Sequence, residues 1–574
     1  MHRASPRTVL LGAQPLLLVL LACGKGGSPA TPAPAAPAAP AAPAVEISAA
    51  DLRARLYAFS DDSMLGRRSG ELGGIKATDY LAAEARRLGL EPAGDDGSYF
   101  QVVPLVRRTL EPGAAVSVAG NSAGRTFRAW DDLIPRDQGK RTRTIDGAQA
   151  VYGGVVGDPG RPTISPEAAA GKLVVITVAP DTGGTPATTV SRADVTLRFS
   201  TAAGVVVTTL DAMAPSDRLS LQETGAQLAT SPSGPEVPAF MYASSQAAEA
   251  MLGGAPAGLA PGALGRRVTG SVRFVDSPAT HPVRNVLARL PGSDPALREQ
   301  LVAVGAHNDH DGIATLAEDH DSLRAWNQVM RPEGANSSAG EPTAEQAARI
   351  RGILDSLRAE RKPRRDSVLN GADDDGSGSV ALLEIAERLT RGPEKPRRSV
   401  LFVWHAAEEL GLLGADYFTR HPTVPRDSVV AQLNIDMIGR GGPADQPGGG
   451  PAYLQLIGSR RLSTELGDLV ERVNAEGKHG FAFDYTYDAD GHPDNYYCRS
   501  DHYMYARYGI PVAFFTTGSH RDYHQITDEP QYIDYGKLAR VTRLAGDVAL
   551  AVADLDRRPV VDQPKPDPNG LCKQ

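Results

Sequence analysis

The sequence predicts an α/β fold: a mixed, mostly parallel sheet flanked by helices and interrupted by a mostly β domain. Three observations carry this. From about residue 282, short apolar runs alternate with amphipathic helical stretches, the rhythm of strand–helix–strand units. Between 146 and 278 the texture differs: β-branched runs alternate with Gly, Pro and Asp turns, and helical patterns are few. A hydrophobic fraction of 41% against 22% charged, over 574 residues, supplies a sizeable core and a length of about two to four domains.

Taken in order, residues 1–22 read as an address. A basic start (Arg3, Arg7) precedes an apolar run over 9–22, shorter than the about 20 residues that span a bilayer, and small residues close it. It ends Leu20-Leu21-Ala22-Cys23, which resembles a bacterial lipobox with Cys23 as the lipidated residue. Gly24 rather than Asp follows, which by that resemblance favours an outer-membrane lipoprotein facing the periplasm or the cell surface. Residues 23–45 are nearly pure Ala/Pro after a Gly/Ser start and read as a semi-rigid tether.

Residues 46–125 open the main domain. Leu52, Leu56 and Phe59, then Ala77, Leu81, Ala85 and Leu88, repeat at helical spacing, with Gly89 as a stop and strands expected over 113–129. Residues 126–281 form the mostly β insert, with strands at 150–156, 173–178 and 204–209, and 146–278 holds no cluster of His, Cys or paired carboxylates. Residues 282–556 are the second part of the α/β domain. Strands are expected at 285–290, 300–306, 399–405, 430–435, 453–457 and 512–516, and helices at 379–389, 463–474 and 535–555. A charged insert, 313–368, breaks that rhythm. Within it Ile350, Leu354 and Leu357 predict one helix, with Thr343 and Gln346 as a capping box. Residues 557–574 are a Pro-rich tail.

The net charge is −8, from 60 Lys+Arg and 68 Asp+Glu, with no basic block, which argues against a nucleic-acid partner. Three cysteines cannot form a disulfide framework or a Cys-rich zinc module. If Cys23 is lipidated, Cys498 and Cys572 remain. An oxidising compartment and parity favour a bridge between them, which would pin the tail to the 494–500 loop.

Carboxylates and imidazoles concentrate in five segments, most of them just after predicted strands, where open α/β sheets bind ligands. They are Ala306-His307-Asn308-Asp309-His310, Ala372-Asp373-Asp374-Asp375-Gly376, Ala406-Ala407-Glu408-Glu409-Leu410, Asn434-Ile435-Asp436-Met437, and Asp522-Tyr523-His524 with Asp528 downstream. Apolar strands delivering so many acids to one place would create a self-repelling, poorly solvated cluster, and a bound cation removes that problem. Mixed His and carboxylate ligands suit zinc, with cobalt or manganese as possible replacements. Adjacent Glu408 and Glu409 can divide the labour, one binding metal and its neighbour taking a proton from activated water. His310, His405 and His502 read as local structure, and Asp373 and Asp375 as shapers of their turn. Contiguous Ser500-Asp501-His502 does not make a triad, which needs separate elements.

In this order the five segments resemble the M28 family of zinc peptidases, strongly over 282–555 and more weakly over 46–110 through the Gly66-Arg67-Arg68 loop and Tyr99-Phe100-Gln101. The resemblance implies a zinc-exopeptidase-like fold. The β insert resembles the protease-associated domain found inserted in several peptidases. Carried over by position, His307, Asp374 and Asp436 hold one zinc ion, and Asp374, Glu409 and His524 the other, with Asp374 bridging. Glu408 matches the general base, Asp309 the carboxylate that orients the first imidazole, and Tyr523 a hydroxyl that stabilises the oxyanion in the carboxypeptidase branch. The expected activity is two-zinc hydrolysis of N-terminal residues from peptide substrates, with the chain held at the membrane by its lipid anchor. The alternatives are a carboxypeptidase acting on acidic C-termini, which needs an arginine such as Arg67 or Arg68 in its pocket, a glutaminyl cyclase, and a binding protein on a dead peptidase scaffold. The charged insert separates His307 from Asp374 and is expected to form a rim or lid over the substrate entrance.

Overall fold

The structure, a computed structural model, describes residues 46–574 except 121–123, 181–189, 191–194, 196, 223–224, 231–235 and 338–339. The expected signal segment, Cys23 and the Ala/Pro tether lie outside the described residues. Among the described residues no helix is long and apolar enough to cross a membrane.

The chain begins with α1 (Ala49–Phe59), capped by Ser48, whose hydroxyl accepts the Asp51 N–H, and α2 (Leu72–Arg87). Both bury the apolar stripe read from the sequence: Leu52, Leu56 and Phe59 in the first, Ala77, Leu81 and Ala85 in the second. Short strands Glu91–Pro92 and Phe100–Val103 follow.

The chain then leaves for the inserted domain earlier than expected. Strand Leu105–Leu110 enters and Phe274–Pro278 returns, paired antiparallel as a stem with Ala226–Leu228 on the other side. Ala115–Val118, expected in the first domain, joins the insert's eight-stranded sheet through Leu264–Ser271, with Arg125–Arg128 paired on its other side. The boundary drawn at 125 therefore moves back to about 104. Strand pairing decides it, and single-strand texture does not report pairing. Each face of this sheet carries its own apolar cluster, one around Tyr152 and Met241 and one around Phe199 and Phe240.

The main sheet resumes with β1 (Val283–Leu290) and β2 (Leu301–His307). The charged insert contributes β3 (Gly312–Asp319), α3 (His320–Met330), α4 (Ala344–Glu360) and β4 (Arg365–Leu369). There follow α5 (Gly378–Arg391), β5 (Ser399–His405), β6 (Val429–Ile435), β7 (Tyr453–Ile457), α6 (Thr464–Glu476), β8 (Val512–Thr516) and α7 (Tyr535–Asp554). The sheet runs Glu91–Pro92, β1, β5, β2, β6, β8, β7, Ala482–Asp484, and Phe100–Val103 also pairs with β1. Strands β5, β2, β6 and β8 are mutually parallel, while β1 and β7 join antiparallel, so the mixed character lies at the margins. Every residue of β2, β5 and β6 is buried, because helices α1, α2, α5, α6 and α7 cover one face and the Tyr496–Ile510 region covers the other.

The expected capping box at Thr343 forms with both of its hydrogen bonds. Helix α3 was not anticipated. Its buried residues are His320, Asp321 and Asn327 beside Ala325 and Val329, so the face that packs is largely polar. Cys498 and Cys572, 74 positions apart in the sequence, form a disulfide with Cα atoms 5.7 Å apart, beside the apolar cluster of Tyr496 and Tyr497. Closing a loop of that size constrains the unfolded chain, so Cys498→Ser is expected to lower unfolding free energy by about 2–4 kcal/mol. The urea midpoint of the variant beside the wild type checks this, and equal midpoints would deny the bridge a stabilising role.

Candidate metal centre

Residues beyond the carboxyl ends of the four parallel strands, together with Asp374 from the turn before α5, build the site. His307 closes β2. Its N–H donates to Asp375 Oδ2 (3.0 Å) and its carbonyl accepts from Ser379 Oγ (2.6 Å), which fixes the backbone. Its ring Nδ1 donates to the Asp309 carbonyl (3.2 Å), which in the neutral ring leaves the lone pair on Nε2, the nitrogen that faces Asp374 Oδ1 (3.1 Å) and Asp436 Oδ1 (3.6 Å). The orienting group is thus the main-chain oxygen of Asp309. Its carboxylate stands 3.8 Å from Nδ1 and instead accepts the Glu408 N–H (3.1 Å).

Asp374 sits in the turn before α5. Asp528 accepts the N–H groups of Asp373 and Asp374 (3.0 and 3.1 Å), and Asp373 and Asp375 accept further backbone N–H groups, including that of Gly439 (2.6 Å). The two flanking acids therefore shape the turn, as expected. Asp374 turns one oxygen to His307 and the other to His524 Nε2 (3.1 Å). Glu408 and Glu409 follow β5 across Ala407, which has a φ of 55°. Glu409 Oε2 lies 3.1 Å from His524 Nε2. Asp436 follows β6, and its second oxygen accepts from Ser500 Oγ (2.8 Å).

All five expected ligands thus converge as two triads sharing Asp374: His307, Asp374 and Asp436, and Asp374, Glu409 and His524. Two zinc–donor bonds of about 2.05 Å at a tetrahedral angle hold their donor atoms about 3.3 Å apart. The separations above bracket that value. His307 Nε2, His524 Nε2 and Asp436 Oδ1 are buried with no hydrogen-bond partner. Acceptors facing one another in a buried site are costly unless a cation lies between them. The residues present fit a pair of metal ions.

The electrostatics agree. Burial alone would lower His524, but Glu409 and Asp374 outweigh it and push the imidazole up to about 12. Burial and Asp374 would raise Glu409, but His524 and His310 outweigh them and bring it down to about 2. The carboxylates thus demand positive charge among themselves. Burial pushes the Glu408 carboxyl well above its usual range, with His307 pulling the other way. Tyr523 lies over the His524 ring, centroids 3.9 Å apart, and its oxygen accepts from the Arg499 guanidinium (3.2 Å).

Of the residues set aside from sequence, His405 pairs with Tyr505 and Asp501, and His502 stacks on Phe514 (4.7 Å). Ser500, Asp501 and His502 thus serve three different neighbours and form no triad. Ser500 was missed as the partner of Asp436 because contact across loops leaves no mark on spacing. His310, read as local structure, instead contacts Glu409 (Nδ1 to Oε1, 2.6 Å). Of the two arginines weighed for a carboxypeptidase pocket, Arg67 is buried and donates to the Asn370 and Gly371 carbonyls (2.5 and 2.8 Å). Arg68 lines a cavity of about 300 Å³ beside Asp311 and His524, whose apolar wall includes Ile313 and Leu316 of β3 and Ile526.

The charged insert is therefore a rim of that cavity, but it is also braced. Arg324 of α3 reaches the fully buried Asp522, which Arg440 also holds, and His320 reaches Glu529 (2.7 Å). Both acids lie on the segment that carries Tyr523 and His524. Excising 320–360 is expected to lower the thermal midpoint, because breaking one buried ion pair costs about 3–5 kcal/mol. Calorimetry checks this. An unchanged midpoint with altered kinetics would mean a detachable lid.

The family model described as Peptidase family M28 matches residues 285–549. Leupeptin-inactivating enzyme 1 of Streptomyces exfoliatus is 31% identical over 174 residues, 29% of this chain and 33% of that protein. Aminopeptidase Y of Saccharomyces cerevisiae is 26% identical over 200 residues, 32% of this chain and 34% of that protein. The chain thus spans about a third of the length of these two relatives. A solved aminopeptidase from Aneurinibacillus sp. strain AM-1 superposes with a TM-score of 0.49 at 16% identity, over 91% of this chain and 97% of that one. Every candidate ligand lies inside residues 285–549, the segment that the Peptidase family M28 model matches.

Proposed function

We propose that this chain is a two-zinc aminopeptidase that removes N-terminal residues from peptides. The observation that carries this is Asp374, whose two oxygens each face a different unpartnered histidine nitrogen, with Glu409 and Asp436 completing two triads. His307, Asp374 and Asp436 would hold one ion, and Asp374, Glu409 and His524 the other. When bound, the ions supply Lewis acidity to the scissile carbonyl and acidify a nearby water. Glu408, anchored by its N–H to Asp309, takes the proton from that water and hands it to the leaving amine. The Arg499 guanidinium donates to Tyr523 oxygen, which leaves the phenolic proton free to donate to the developing oxyanion. The cavity beside His524 supplies an apolar wall for a substrate side chain. The lipidated Cys23, the outer-membrane address and the protease-associated identity of the β insert belong to the same proposal and rest on the sequence motifs alone.

Arg68 in the cavity favours one second reading, recognition of a C-terminal carboxylate. The test is a pair of substrates for the chain incubated with zinc, its metal content measured on the same sample: leucine p-nitroanilide, and an N-acetylated dipeptide ending in Glu. Cleavage of the first alone supports an aminopeptidase. Cleavage of the second alone assigns the carboxypeptidase, and cleavage of neither by a chain that holds no zinc assigns a dead scaffold.

A further inference from the structure

The segment that follows β2 does more than deliver His307. His310 and Asp311 have no part in the mechanism above, yet each meets a ligand of the second ion. His310 is buried, and its Nδ1 lies 2.6 Å from Glu409 Oε1, the oxygen turned away from His524. Its ring stands edge-on to the His524 ring, centroids 5.5 Å apart at 86°. Room for it is made by Gly371: a Cβ there would come within 2.5 Å of the His310 ring, and the φ of 52° at Gly371 disfavours a side chain as well. Asp311 places Oδ2 3.3 Å from His524 Nδ1, while His524 Nε2 faces Asp374 and Glu409.

We infer that His310 and Asp311 are positioning residues for the second metal position, His310 fixing the Glu409 carboxylate and Asp311 fixing the ring and tautomer of His524. The inference rests on the two-zinc reading. Another use of the same atoms would be a third ion between His310, Asp311 and Glu409, whose donor atoms cluster closely enough to be considered. The 2.6 Å contact decides against it. That is the length of a charge-assisted hydrogen bond, well short of the about 3.3 Å between two donors on one zinc ion. The two positions are thus supported differently. At the first, the groups that hydrogen-bond to the ligands are neutral, the Asp309 carbonyl behind His307 and the Ser500 hydroxyl behind Asp436, and the Asp309 carboxylate stands off at 3.8 Å. At the second they are an imidazole and a carboxylate. A carboxylate behind a ligating histidine raises its basicity, and losing such a partner typically weakens metal binding about 10- to 100-fold. The effect should fall on one ion only.

The test is competition of the full chain against a fluorescent zinc chelator, resolved into two dissociation constants, with the thermal midpoint of the zinc-free protein measured beside it. Asp311→Ala and His310→Gln are expected to weaken one ion about 10- to 100-fold and leave the other within about twofold, whereas a merely global loss of stability, read in the zinc-free midpoint, would weaken both alike. Asp311→Glu is expected to recover part of the loss. In a His524→Ala background Asp311→Ala should add nothing, because its effect runs through that ring. Two ions in the wild type with unchanged constants in the variants, or a full additive loss in the His524→Ala background, would overturn this inference and leave the proposed function standing. A wild-type chain holding fewer than two ions would overturn both.

Discussion

Glu408→Gln is expected to lower kcat about 100- to 10,000-fold while leaving the metal content unchanged and KM within a few-fold. The amide keeps the shape of the carboxylate, and the Glu408 N–H that donates to Asp309 is untouched. What is lost is the ability to accept a proton in a site where burial already makes the carboxyl a strong base. That range corresponds to about 3–5 kcal/mol of transition-state stabilisation. Steady-state hydrolysis with zinc analysis on the same sample checks it. A loss of less than tenfold would make Glu408 a structural acid.

Asp374→Ala is expected to remove both ions and at least about 1,000-fold of the activity. A catalytic zinc keeps about three protein ligands, and without Asp374 each triad is reduced to two: His307 with Asp436, and Glu409 with His524. The turn itself should survive, since Asp528 holds it through backbone N–H groups that alanine retains. Asp436→Ala should lose one ion and spare the other. Loss of metal should also show as loss of stability: a ligand at 1,000 times its Kd contributes about 4 kcal/mol. Elemental analysis of the purified variants decides. Two ions in Asp374→Ala would deny the bridge.

The parallel core of the sheet was legible because strands buried on both faces read as unbroken apolar runs, and three of the six expected strands match the structure to the residue: 399–405, 453–457 and 512–516. The five candidate ligands were legible because their short motifs, in this order, resemble those of a known zinc peptidase family. Supports that reach across loops were not. Ser500 behind Asp436 and His310 beside Glu409 follow from tertiary packing, and a hydroxyl or an imidazole in a loop has many local uses. Asp309 was found for the right histidine but with the wrong atom, since spacing does not distinguish a carboxylate from the carbonyl of the same residue. Helix α3 was missed although Leu323, Trp326 and Met330 stand at helical spacing; beside Ala325 and Val329 its inward face is committed through His320, Arg324 and Asn327 to Asp522, Thr527 and Glu529. The start of the inserted domain escaped because a strand's sequence does not name its partner.

The most direct test of the two-metal account is the activity of the chelated, zinc-free chain as zinc is added back in known amounts, read on leucine p-nitroanilide. Activity is expected to be absent at the start and to saturate at two equivalents per chain. Activity that survives chelation, or a plateau reached at one equivalent, would contradict a centre in which Asp374 joins two ions.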